Sequence, residues 1–184
     1  MGMTPRNSET CFRKGEYGEQ LFRRILEKKD YTVYTAKTKG AHPFDIIAVH
    51  KCHKTGEKKP VFAADVKTKP MRVFFSDTGI WTNHYHVYLK FSKTHLMEFW
   101  LIFVDQNLGE IYGNTISELD KPRVIDSRDY PLIDGTTRYY PKAAMRTIRL
   151  LTGDEIEELD RCSQIDNKYK KQKNRMIQPK FEGF

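Results

Sequence analysis

The run Val61-Phe62-Ala63-Ala64-Asp65-Val66-Lys67 constrains this chain most. It is far too short for a membrane span, which needs roughly 20 apolar residues, and it suits a buried strand ending in charge. Strand alternation puts Asp65 and Lys67 on one face and Val66 on the other. Carboxylates are rare in buried strands unless bound or paired, because an isolated buried charge is costly. Asp65 and Lys67 as a surface pair on an edge strand, with Asp45 merely capping a turn, is the competing interpretation. It leaves an acid after Val61-Phe62-Ala63-Ala64 without a reason.

A second strand is expected over Phe44 to His50, in His42-Pro43-Phe44-Asp45-Ile46-Ile47-Ala48. The polar, basic segment Lys51 to Pro60 predicts a turn to a third strand, Val61 to Thr68, closed by Pro70. If the two strands pair through that turn, Asp45 approaches Asp65 and Lys67 at one end of the sheet. Two carboxylates there suit a hard divalent cation such as Mg²⁺, with Mn²⁺ as a substitute, bound through oxygen. Such a metal acidifies water and stabilises charge on a phosphate. Lys67 is then placed to orient or deprotonate that water, and the Val66 carbonyl to complete the metal shell.

Ahead of these strands, Tyr17, Leu21, Phe22, Ile25 and Leu26 recur at helical spacing and predict a helix from about Glu16 to Lys29. At 100° per residue Glu19 falls at the edge of the apolar arc, whereas Glu16 and Glu27 lie well inside the polar side. Glu19 is thus the helix acid best able to face the sheet, as a further metal ligand or a holder of water.

Tyr31 to Ala36 is rich in β-formers and predicts the first strand. The stretch Thr82 to Thr94 fits two patterns. A helix gathers Trp81, Tyr85, Tyr88 and Leu89 on one side; a strand gathers Trp81, Tyr85, Val87, Leu89 and Phe91. Its length favours a helix, and the next strand, Glu98 to Val104, needs a crossover to run parallel to its neighbour. On this helix Tyr85 is expected in the core with Trp81 and Leu89, and His84 and His86 toward solvent. A short strand Glu110 to Tyr112 follows, then a loop-rich region Ser117 to Pro141, then a strand Ala144 to Leu151. Thr152-Gly153-Asp154-Glu155 is a capping-box pattern that should open a helix to about Lys171.

The formal net charge of +8 points to a polyanionic partner. No apolar run reaches membrane length, and Met1 to Arg13 holds no signal-peptide core, so a cytoplasmic location, in a prokaryotic or phage-infected cell, is expected. Three widely spaced cysteines, Cys11, Cys52 and Cys162, fit a reducing compartment. His50-Lys51-Cys52-His53 lacks a second pair at zinc-site spacing and reads as a polar hairpin tip.

Glu19, Pro43-Phe44-Asp45 and Asp65-Val66-Lys67, in that order, resemble the PD-(D/E)xK nuclease superfamily. The lead-in Lys14-Gly15-Glu16-Tyr17-Gly18-Glu19 looks like the opening of archaeal Holliday-junction resolvases and their restriction-endonuclease-like relatives. Phe44 separates Pro43 from Asp45, so the literal Pro-Asp pair is absent. The resemblance covers roughly residues 14–105. It implies an α/β (α+β) fold with an αβββαβ core, a central mixed sheet flanked by helices, and a magnesium-dependent phosphodiesterase acting on DNA, often as a homodimer.

The resulting expectation is a flexible N-terminus (1–14), one nuclease domain (15–167, core 15–105, extension 106–167) and a basic tail (168–184). Duplex or branched DNA is the expected partner, with no membrane role. Lys37, Lys39 and His42 before Asp45, Lys69 and Arg72 after Lys67, and Tyr88 and Lys90 on the second helix are candidate phosphate contacts; ordinary solvated lysines are the alternative. The tail either grips nucleic acid or is simply solvated. A catalytically silent nucleic-acid-binding module would have lost an acid or the lysine, and none is missing here.

Overall fold

The computed structural model describes residues 13–35, 43–51, 58–72 and 74–164. The chain enters as α1 (Arg13–Glu27), then β1 (Tyr31–Thr35), β2 (Ile46–Lys51), β3 (Lys58–Thr68) and β4 (Asp77–Trp81). It continues through α2 (Thr82–His95), β5 (Glu98–Asp105), β6 (Glu110–Thr115) and α3 (Ile116–Leu119). Four short strands follow: β7 (Arg123–Ile125), β8 (Arg128–Tyr130), β9 (Leu132–Asp134) and β10 (Thr137–Pro141). A 3-10 turn (Lys142–Ala144), β11 (Arg146–Leu150) and a helix over residues 153–164, here α4, complete the described chain.

Six strands form one mixed sheet in the order β1-β2-β3-β5-β6-β11. Only β3 and β5 run parallel, and the connection between them carries β4 and α2. The expected order of a helix, three strands, a helix and a strand is therefore present, with β4 inserted before α2.

Strand alternation separates two cores. Phe62, Ala64 and Val66 of β3 and Ile102 and Val104 of β5 pack against Leu21, Phe22, Ile25 and Leu26 of α1. Ala63, Phe99, Leu101 and Phe103 look the other way, onto Ile80, Tyr88 and Tyr140. The run Phe99–Val104 is apolar throughout because β5 is central and covered on both faces. α4 adds Ile156 and Leu159 on the α1 side. Its capping box is reciprocal: the Thr152 N–H donates to Glu155 Oε2 at 2.9 Å and the Glu155 N–H to Thr152 Oγ1 at 3.4 Å.

The region read as loop-rich, Ser117 to Pro141, is instead built of short strands. β9 and β10 join β4 in a second sheet, and β7 pairs with β8. Three-residue strands leave almost no periodicity to detect. Their turns are tight: Asp126 and Ser127, between β7 and β8, both have positive φ (50° and 59°), the twist that suits a two-residue hairpin. β3 also begins three residues earlier than expected and β6 runs on to Thr115.

Candidate active site

Asp45 immediately precedes β2, whose antiparallel register sets Ile46 opposite Ala64. Its N–H donates to the Ala64 carbonyl at 2.9 Å, and its Oδ2 accepts the Val66 N–H at 2.7 Å. Asp45 is thus held on both sides of Asp65, by its backbone N–H at Ala64 and by its carboxylate at Val66. Asp65 is buried, 4% exposed. Lys67 Nζ lies 2.7 Å from both of its oxygens, but only the contact to Oδ1 has hydrogen-bond geometry, and buried Oδ2 is left without a hydrogen bond. The Val66 side chain turns into the α1 core.

α1 reaches this end of the sheet through a glycine. A Cβ on Gly18 would stand 1.9 Å from Thr68 Oγ1 and 3.1 Å from Thr68 Cβ, so only glycine permits the observed approach of α1 to β3. The next residue, Glu19, is close enough to feel Asp65: burial first, then the Asp65 charge, raises its pKa, while Lys67 opposes this. Asp45 is pushed from the usual 3.8 to about 7, by burial, then by Asp65, with the Val66 hydrogen bond pulling the other way.

These carboxylates repel one another and are partly dehydrated, which is the electrostatic condition a bound cation relieves. Hard oxygen donors and an orphaned buried carboxylate oxygen fit a divalent ion of the Mg²⁺ kind. Among the described residues, no three His, Cys, Asp or Glu side chains are already gathered as a finished metal cage.

The remaining candidates divide. Lys69 follows Lys67 on the same face and donates from Nζ to the Gly79 carbonyl. Its pKa is drawn down to about 8, first by burial and then by Lys67. Tyr88 is not a surface contact: it is 3% exposed and stacked on Phe99 with centroids 4.6 Å apart. Burial, followed by adjacent Asp65, raises the pKa of its hydroxyl strongly. Lys90 is exposed two residues on, about 200° around the helix, and so faces away from the site.

Arg72 is committed elsewhere. Its Nε and Nη2 each donate at 2.7 Å to the fully buried Asp77 carboxylate, and its guanidinium lies 3.6 Å from the Tyr139 ring centroid. That pair closes the hairpin into β4, a strand the sequence pattern did not reveal. Trp81, expected in the core, is 65% exposed. Tyr85 is half-buried, its hydroxyl donating to Asp120 at 2.7 Å. Lys37, Lys39 and His42, the cysteine of the His50–His53 segment and the basic tail lie outside the described residues. Among the described residues, no helix is long and apolar enough to cross a membrane.

No protein-family model and no curated protein matches the chain. Among solved structures it is similar to Hjc, a Holliday junction resolvase from the archaeal hyperthermophile Archaeoglobus fulgidus. That match has 12% identity and a TM-score of 0.48, over 71% of this chain and 90% of the other. It is also similar to D212, a nuclease from a fusselovirus, at 10% identity and a TM-score of 0.45, over 89% of this chain and 98% of the other.

Proposed function

We propose that this chain is a metal-dependent nuclease that hydrolyses DNA phosphodiester bonds at the end of β3. The observation that carries this reading is the placement of the Asp45 carboxylate on the Val66 amide, beside the buried Asp65–Lys67 pair. A structural salt bridge needs no second acid pinned next to it, at the cost of raising that acid's pKa to about 7.

Asp45 and Asp65, with Glu19 and the Val66 carbonyl, would hold Mg²⁺, with Mn²⁺ as a substitute. When bound, the ion supplies positive charge at the phosphate and acidifies water. The chain's own groups do the rest. Lys67, ion-paired to Asp65, is positioned to hold the attacking water and to stabilise charge growing on the phosphate. Lys69 offers a second cation to the same phosphate. Tyr88, fixed by Phe99 stacking, supports Asp65 from beneath.

The test is a cleavage assay of the protein and its Asp65→Ala variant on linear duplex, single-stranded and four-way-junction DNA, with Mg²⁺, Mn²⁺ or chelator. Metal-dependent cutting that disappears in the variant is the expected result. Binding without cutting in every metal condition would replace this reading with a silent nucleic-acid-binding module, and cutting confined to added RNA would change the substrate.

A further inference from the structure

Beside Lys67 lies a cleft of about 190 Å³, lined by Lys67, Lys69, Gly79, Ile80, Trp81 and His84. It is smaller than the roughly 300–1,000 Å³ of pockets for drug-sized ligands, so it suits one planar ring system. One wall is basic and the other aromatic.

The aromatic wall is rigid. Trp81 ends β4, paired with Thr137 of β10, and the Thr82 N–H donates to the Thr136 carbonyl at 2.8 Å. The residue is 65% exposed, although tryptophan is usually well covered. Within α2, His84 and Tyr88 are four residues apart and so share one side of the helix, and Trp81, at its N-terminal cap, leans against His84. Their rings form a line: Trp81 to His84 at 5.6 Å, His84 to Tyr88 at 6.1 Å, and Tyr88 stacked on Phe99 at 4.6 Å. The line runs from solvent at Trp81 to the residue beneath Asp65.

We propose that this cleft seats one unstacked DNA base against Trp81 and His84, next to the phosphate held at Lys67 and Lys69. The inference rests on the nuclease reading and narrows its substrate to DNA with unpaired bases at the cut: single strands, frayed ends or branch points. Exposed aromatic rings interleaved with lysines are the surface that binds single strands, since every base has a face to stack. A base inside an intact duplex must first leave its stack, which costs a few kcal/mol and disfavours that substrate.

The chain's two tryptophans are Trp81 and Trp100, so tryptophan fluorescence reports on the cleft. The probe is a short labelled oligothymidylate, titrated with wild type, Trp81→Phe, Trp81→Ala and Asp65→Ala, with cutting of single-stranded and duplex DNA measured in parallel. Oligothymidylate should quench the wild type and Asp65→Ala. Trp81→Phe should lose the quench but keep binding, and Trp81→Ala should lose affinity on the order of 10–100-fold. Because Trp81 is exposed, both substitutions should leave the melting temperature near that of wild type. Unchanged affinity in Trp81→Ala, or equal cutting of duplex and single strands by wild type and Trp81→Ala, would overturn the base seat while leaving a nuclease. Quenching with no cutting of any DNA would overturn the nuclease reading and leave the seat standing.

Discussion

The Oδ2 atom of Asp45 accepts the backbone N–H of Val66 at 2.7 Å, so a carboxylate at the start of one strand holds its neighbour at the residue after Asp65. In the proposed site this one side chain would serve both structure and chemistry, and two substitutions separate the roles. Asp45→Asn keeps an acceptor for Val66, whereas Asp45→Ala orphans a largely buried N–H at a cost of about 1–3 kcal/mol. We expect urea denaturation to show the loss in the alanine variant and little loss in the asparagine one. Both should lose DNA cleavage by more than the roughly 10–100-fold typical of removing an outer partner from a metal site.

The raised pKa of Asp45 fixes a pH dependence for the metal-free protein. From about pH 4 to 7, the unfolded chain has released a proton that the folded chain retains. Stability should therefore fall as pH rises through that window and level off above it. Asp45→Asn should flatten the profile. A divalent cation should raise the melting temperature more above pH 7 than at pH 5, because protonated Asp45 offers it little. Thermal melts across pH, with and without Mg²⁺, check both statements.

Gly18 tests whether the approach of α1 matters to the site. Gly18→Ala adds a methyl against Thr68, and overpacking of this kind costs about 1–3 kcal/mol. Moving α1 outward also moves Glu19, so cleavage should fall as well. Adding Thr68→Ala removes the clashing hydroxyl, and the double variant should recover most of the stability, aided by the better helix propensity of alanine. A double-mutant cycle showing independent effects would contradict the contact.

Lys69 and Arg72 are both basic and close in sequence, yet they should behave differently toward DNA. Lys69→Ala should weaken binding and reduce the slope of log affinity against log salt by about 1. Its contribution should fade as pH rises through about 8, where the ammonium discharges. Arg72→Ala should leave the slope unchanged and instead destabilise the fold by about 3 kcal/mol, because it strips the partner from the buried Asp77 carboxylate.

The central elements were legible because their signals are local. Asp65 and Lys67 stood out through alternation at the end of an apolar run, Asp45 through its place at the opening of β2, and Glu19 through its position on the wheel of α1. What escaped depends on distant partners. β4 contains buried Asp77, which no strand pattern predicts, and that carboxylate is satisfied by Arg72 and by the Tyr130 hydroxyl, 53 residues away in sequence. With β4 unseen, Arg72 looked like a free cation and Trp81 like a core residue. By sequence Tyr88 reads as a surface contact, but Phe99 stacks on it, a pairing visible only once β5 lies beneath α2.

The sheet order also has a temporal consequence. β5 pairs with β3 on one side and β6 on the other, and β4 pairs with β10, so the first 105 residues leave one edge of β5 open and β4 without its sheet partner. At about 5–20 residues per second, a ribosome needs several seconds more to supply residues 106–150. During that interval the nascent chain carries every candidate catalytic side chain and yet exposes the open edge of an apolar strand, the kind of edge that invites pairing with another chain.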